Sequence, residues 1–427
     1  MLPIGARRGD RPRIAGLLDI GTAKTACLIV EVAGGQMHDE PSGGVLRVLG
    51  IGHTRSRGVK AGVVTDLDAA GESVRAAVGQ AERVAGVTLE SVYLAVSCGR
   101  IGSLNFTARA DVASGVVGED DIARLVEGGR AYAERGERSL LHMNRLRFRL
   151  DGNDGVRDPR GMAARAIAAE MHAVTVDEAP LRNLLLLIER CYLGASGLVA
   201  GPYASALGAT TADERRLGVT CIDIGAGTIG IAAFAEGRFL YCDAIASGGN
   251  ALTYDIARQL QAPLSEAERI KALYGTVVSA PSDSLDEFSY PLAGEEASEM
   301  RRISKAALAS ILRPRVAGIL GLVRERLERG GVAGYCGERI VLTGGTSQLV
   351  GFGEFAASAL GRPTRVACPE AGIALPGPVA SPAFSCAAGL GLCASGGGDL
   401  SAPRGGTAQL AGRGYLGQVG AWLRQGF

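Results

Sequence analysis

Aromatic residues are scarce in this 427-residue chain: they make up 5% of it, with a single tryptophan, Trp422. Proteins that read nucleic-acid bases do so largely by stacking them on aromatic rings set among basic side chains, and no segment here alternates in that way. The formal net charge is only +1, so any attraction to nucleic acid or anionic lipid must be local. No C-x-x-C pair occurs among the nine cysteines, Cys27, Cys98, Cys191, Cys221, Cys242, Cys336, Cys368, Cys386 and Cys393. They mostly sit in apolar runs and read as small buried hydrophobes of a reducing compartment. The four histidines, His38, His53, His142 and His172, lack ligand spacing, which argues against zinc. No uninterrupted apolar run approaches the ~18 residues of a membrane span. The basic N-terminus, MLPIGARRGDRPRIAG, lacks the apolar centre of a signal peptide, so a cytoplasmic protein is expected.

What the chain does have is one motif used twice. The stretch 219–234, VTCIDIGAGTIGIAAF, reads as two strands joined by a tight turn, with Asp223 ending the first strand. Gly225 and Gly227 let backbone amides of the turn, Ala226 among them, converge on an anion, and Thr228 adds a hydroxyl. A carboxylate beside phosphate-binding amides repels phosphate unless a cation lies between them, so Asp223 implies Mg²⁺. Residues 16–32, GLLDIGTAKTACLIVEV, repeat the order with Asp19, Gly21, Thr22, Ala23 and Lys24. Two such hairpins in one chain predict an α/β, duplicated two-lobed fold that grips one nucleotide between its halves, with Asp19 and Asp223 holding the metal. At this length several domains or subdomains are expected.

In chain order, strands are expected at 15–20, 25–33 and 45–52, then a helix at 67–85 with Asp66 or Asp68 as N-cap and Gly86 as terminator. Residues 88–174 depart from the pattern and read as a small α+β insert with its own core. A helix at 178–194 leads into 197–210, a short strand running into a helix, and 213–218 reads as a polar turn. After the second hairpin, Gly248, Gly249 and Asn250 form a turn before a helix from about Ala251, suited to a phosphate or simply to a loop-to-helix joint. A helix at 265–275 has Ser265 as cap and Glu268 as capping-box partner, with Glu268 and Lys271 otherwise an ordinary solvated face. A long helix at 299–329 is expected to break at Pro314. The stretch RIVLTGGTSQLVGF, 339–352, is a strand and Gly-Gly turn, with Gly344, Gly345 and Thr346 where a flat base can approach. A strand at 362–368 and a small-residue helix at 381–392 close the body.

Residues 396–412 are rich in Gly, Ser and Ala and read as a disordered linker. In 413–427 the side chains of Tyr415, Leu416, Val419, Trp422, Leu423 and Phe427 fall on a helical arc of about 140°, flanked by Arg413 and Arg424. Such a helix suits an anionic membrane interface, although docking on the body is the plainer alternative.

The ordered set DIGTAK (19–24), DIGAGT (223–228), VAGPYASA (199–206) and VLTGGTSQLVG (341–351) resembles the actin/Hsp70/sugar-kinase superfamily and, within it, the bacterial cell-division FtsA family. The resemblance spans about residues 14 to 395. It implies a basic arm at 1–13, subdomain 1A at 14–87 and 175–212, and an inserted subdomain 1C at 88–174. It further implies subdomain 2A at 213–255 and 335–374, subdomain 2B at 256–334, and a return helix at 375–395. It implies ATP with Mg²⁺, Glu268 and Lys271 near ribose and base, and Gly344, Gly345 and Thr346 around adenine. Implied partners are further copies of the chain in an actin-like filament, the C-terminal peptide of FtsZ, later division proteins and membrane lipid, on the cytoplasmic face of the inner membrane at the division site. Nucleic acid is not among them. Where related actin-like proteins carry a Glu before Pro, this chain has Gly201 and Pro202, so at most weak ATP hydrolysis is expected, with Asp223 the one catalytic candidate. A pilus-assembly relative and a sugar or acetate kinase are the competing readings.

Overall fold

A computed structural model describes residues 13–32, 46–278, 280–294, 300–334, 336–369 and 375–396. The N-terminal arm before Arg13, the linker beyond Gly396 and the amphipathic tail at 413–427 lie outside the described residues.

Both halves are built on a sheet of the same order. In the first, the spatial sequence is Gly194–Ala200, Ser91–Val96, Arg13–Ile20, Lys24–Val32, Arg47–Arg55. The first three strands are parallel, and the last two continue as antiparallel hairpins. In the second, Thr364–Val366, Arg339–Thr343, Val219–Ile224, Ile229–Ala235 and Arg238–Ile245 repeat the order and the senses. The central strands are buried on both faces, with Leu17, Leu18, Leu28 and Ile29 wholly covered. Their apolar residues therefore run on continuously rather than alternate.

The helix Leu67–Ala85 covers the first sheet; Asp66 is its N-cap, accepting from the Asp68 and Ala69 amides, and Gly86 ends it in the left-handed conformation. Helices Gly201–Ala209 and Ser385–Ala394 pack backbone to backbone. A Cβ on Gly208 would lie 2.2 Å from the Ser385 carbonyl oxygen, and one on Gly389 1.7 Å from that of Ala204.

The insert has its own sheet, Gly102–Asp111, Ala166–Asp177, Arg138–Leu150 and Asn153–Val156, with helix Glu119–Ala133 across it and a separate core around Met171, Leu125 and Ile167. Strand Ser91–Val96, expected inside the insert, is instead central in the first sheet, paired with Arg13–Ile20. The insert sheet also joins the second sheet at one pair, Asp243 with Gly102. Ser103 Oγ clamps that joint, donating to the Cys242 carbonyl at 2.9 Å and accepting from its amide at 2.5 Å. One backbone pair and one serine hydroxyl make this union, so the sequence pattern carries no sign of it.

Four further expectations are corrected. Residues 212–217 form a short helix, capped by a Thr211–Glu214 box, rather than a turn. Ser265 is not a cap: the helix starts at Leu264 with Pro263 before it, which leaves Ser265 within the first turn. The long helix starts later than expected, since Met300–Ser304 is a strand paired with Glu287–Pro291. It then runs unbroken from Lys305 to Arg329 through Pro314. Pro314 and Ser310, whose carbonyl loses its partner, are both on the exposed side of the helix, while Leu312, Val316, Ile319 and Leu320 stay buried. This helix is long and apolar enough to cross a membrane by length and composition, but its apolar face forms the core of its own lobe. Seven of the nine cysteines are buried; Cys368 is exposed and Cys393 partly so.

Candidate functional site

The two hairpin turns meet. Each closes with the same backbone bond, Gly21 N–H to the Lys24 carbonyl and Gly225 N–H to the Thr228 carbonyl, both 2.9 Å. Where they touch, a Cβ on Gly227 would lie 2.5 Å from Thr22 Oγ1. Between them lies a cavity of about 510 Å³, a size suited to a small-molecule cofactor. Asp19, Gly21, Thr22, Ala23 and Lys24 line it from one side; Asp223, Gly225, Ala226 and Thr228 line it from the other. Glu268, Lys271, Gly344, Gly345 and Thr346 complete the wall toward the second lobe.

Gly227, Gly248, Gly249 and Asn250 do not line this cavity. The Gly249 and Asn250 amides donate to the carbonyls of Gly225 and Ala226, at 2.9 and 2.8 Å. They buttress the second turn from behind and have no N–H left to offer an anion. Thr346 Oγ1 supports the same turn by donating to the Gly225 carbonyl at 3.0 Å. Lys271 is no solvated surface lysine: its ammonium donates to Thr253 Oγ1 and Glu268 Oε2, both at 2.7 Å, and to the Gly249 carbonyl at 3.2 Å.

The electrostatics centre on the two aspartates. Burial raises the Asp19 carboxyl above its ordinary value, and Lys24 only partly offsets that. Burial likewise pulls the Lys24 ammonium down, with Asp19 opposing. Lys24 Nζ donates to the Ala383 carbonyl at 2.5 Å and stands 3.1 Å from the centre of the Phe384 ring. Asp223 is pushed up to about 6, first by burial, with Asp19 adding to it and the Ser205 hydroxyl and Lys24 opposing. Two half-buried carboxylates therefore face one cavity, Asp19 adding to the cost of ionising Asp223, while the ammonium beside them donates to Ala383. A divalent cation between them fits that charge balance. Among the described residues no cluster of three or more His, Cys, Asp or Glu forms a protein-only metal cage.

Several contributors escaped the sequence reading. Ser205 Oγ donates to Asp223 Oδ2 at 2.5 Å. Cys386 and Ser97 line the cavity, and Phe384 seats Lys24. Gly344 has φ 86° and ψ 159°, a backbone state open in practice to glycine alone, and a Cβ there would lie 2.2 Å from Asp223 Oδ1. At Gly201 a Cβ would lie 2.1 Å from Ser97 Oγ, so the serine fills the space a side chain would need. No periodicity or spacing marks any of these residues in the sequence.

Comparisons with known proteins bear on the family and the fold. The family described as cell division protein FtsA matches residues 220–389, and the SHS2 domain inserted in FtsA matches 98–175. The chain is 38% identical to the cell division protein FtsA of Agrobacterium fabrum over 98% of this chain and 96% of that protein. It is 33% identical to that of Neisseria meningitidis over 98% and 100%, and 31% identical to that of Escherichia coli K12 over 89% and 90%. Among solved structures it resembles a PilM–PilN type IV pilus biogenesis complex at TM-score 0.64 and 17% identity, covering 89% of this chain and 98% of that one. At that identity the likeness speaks to the fold alone, which is the duplicated actin-like fold with an inserted domain.

Proposed function

This chain belongs to the FtsA family of cell-division proteins, and on that footing we propose that it is an ATP-binding, filament-forming adaptor that anchors the FtsZ ring to the cytoplasmic membrane. The observation that carries the nucleotide part is the meeting of two Asp-tipped turns over one cavity. In this reading the Gly21–Lys24 and Gly225–Thr228 turns take the phosphates, and Asp19 and Asp223 hold Mg²⁺ through water. Glu268 and Lys271 lie toward ribose and base, and Gly344, Gly345 and Thr346 toward adenine. The cation supplies the positive charge that lets phosphate approach two carboxylates.

Hydrolysis is weak in this reading, because position 201 has no carboxylate to orient a water and Ser97 occupies the adjoining space. Turnover of Mg²⁺·ATP at tens per second by the purified protein would overturn that part. Further copies of the chain, the FtsZ C-terminal peptide and later division proteins are the proposed partners. The tail at 413–427, with its apolar arc and two arginines, is the proposed membrane anchor. A single short helix binds modestly, so polymerisation strengthens anchoring by multiplying contacts.

The experiment is co-sedimentation with anionic liposomes of the full chain and of a chain ending at residue 412, each with and without Mg²⁺·ATP, together with capture on an immobilised FtsZ C-terminal peptide. The full chain is expected to sediment, more so with nucleotide, and the shortened one to stay in solution while still binding the peptide. Equal sedimentation of both would remove the tail from the anchoring role.

A further inference from the structure

Asp223 is held from both sides by groups that are not themselves turn residues. On one side, Ser205 Oγ donates to its Oδ2 at 2.5 Å. On the other, Oδ1 rests against the Gly344 backbone so closely that a Cβ there would stand 2.2 Å away. One oxygen of the carboxylate is therefore hydrogen-bonded and the other lies close to the glycine, while the group faces the cavity. Ser205 is fully buried and lies in the middle of helix Gly201–Ala209. A serine at such a position ordinarily bonds back to the carbonyl four residues earlier. Here its donor goes to the aspartate, and the Gly201 carbonyl receives the Cys386 thiol instead, at 3.9 Å. Helix 201–209 packs both on the second-lobe strands Val219–Ile224 and Ile229–Ala235 and on first-sheet strands. The Ser205–Asp223 bond thus fixes the second turn's carboxylate to a helix shared by the two lobes.

We propose that Ser205 is a positioning residue for the cation that accompanies nucleotide in the cleft: by fixing the orientation of Asp223, it sets the carboxylate for Mg²⁺ before the ligand arrives. This inference rests on the nucleotide reading above. Groups that orient a ligating carboxylate commonly change metal affinity by 10- to 100-fold when removed, although they touch no metal. In the first turn Asp19 is set against Lys24 of its own turn and shares a side-chain hydrogen bond with Cys386.

The test uses the full chain and its variants Ser205→Ala and Ser205→Cys, with a fluorescent ATP analogue titrated in EDTA and again in Mg²⁺. Thermal melting of each variant checks the fold. In EDTA all three proteins are expected to bind within about twofold of one another. In Mg²⁺, Ser205→Ala is expected to bind about tenfold more weakly than the wild type, and Ser205→Cys, which keeps a weak donor at nearly the same volume, to fall between them. A loss of equal size in EDTA and in Mg²⁺ would mean that Ser205 serves packing alone and would overturn the proposal. So would no loss in either. Should Ser205→Ala fail to fold, the same comparison is made with Ser205→Cys, whose expected loss in Mg²⁺ is several-fold. A wild-type chain that binds no analogue in either buffer would bring down the nucleotide reading itself, a result distinct from a wild type that binds and variants that match it.

Discussion

The Gly21 and Gly225 turns close with identical 2.9 Å hydrogen bonds, yet Lys24 stands in the first where Thr228 stands in the second. The first turn carries its own cation, anchored on the Ala383 carbonyl and the Phe384 ring and set against Asp19. The second carries none; Asp223 has a serine hydroxyl on one oxygen and glycine backbone against the other. Duplication has kept the backbone and divided the charge. One turn is balanced by a lysine of its own, and the proposed function assigns the other a cation from outside.

The sharpest way to break this contrast is Asp223→Asn. Loss of its charge is expected to weaken Mg²⁺-dependent nucleotide binding by at least about 100-fold, or ~3 kcal/mol, and to change binding in EDTA far less. Equal weakening in both buffers would show that the second turn does not depend on an external cation. The same variant tests the contrast through pH. Asp223 binds its proton up to about pH 6 when folded and only to about pH 4 when unfolded. Between those values the folded chain holds more protons, so this group's contribution to stability falls as pH rises through that window. Nucleotide-free wild type should therefore lose roughly 2–3 kcal/mol relative to Asp223→Asn between pH 4 and 6. Parallel melting curves across that range would remove the buried-carboxylate account.

Gly344→Ala places a Cβ against Asp223 Oδ1 in a backbone state alanine avoids. A cost of about 2 kcal/mol is expected, read by denaturant unfolding, together with a loss of nucleotide binding that is larger in Mg²⁺ than in EDTA. An unchanged midpoint would show that the strand end yields easily and that Asp223 is not wedged. The smallest effect belongs to the first turn. Lys24→Met is expected to weaken nucleotide binding about tenfold, ~1.4 kcal/mol, by the same factor with and without Mg²⁺, because its charge acts independently of the metal. A loss confined to Mg²⁺ would mean that the two turns share a single cationic system.

Much of the fold was readable because local chemistry and tertiary fate coincide there. The hairpins carry long apolar runs interrupted by Asp and Gly, and strands buried on both faces need nothing else. Helix 67–85 was bounded by an acceptor at Asp66 and a glycine at Gly86, signals that act within one turn. Pro314 misled because its cost depends on whether the orphaned carbonyl is wet, which is a matter of burial. Gly248, Gly249 and Asn250 misled for a related reason. Their motif is a generic anion cradle, but the carbonyls of the second turn take up the Gly249 and Asn250 amides.

By itself the sequence determined that two Asp-tipped glycine turns would form, since strand, turn and charge are properties of neighbouring residues. It determined as well that an insert with a separate core would interrupt the first half. Only the tertiary structure decided that Thr22 and Gly227 touch, that Lys24 is occupied by Ala383, and that Ser205 and Gly344 hold Asp223 between them. Those contacts join residues up to 359 positions apart. Their energies come from desolvation and close approach, which have no value until the chain has folded around them.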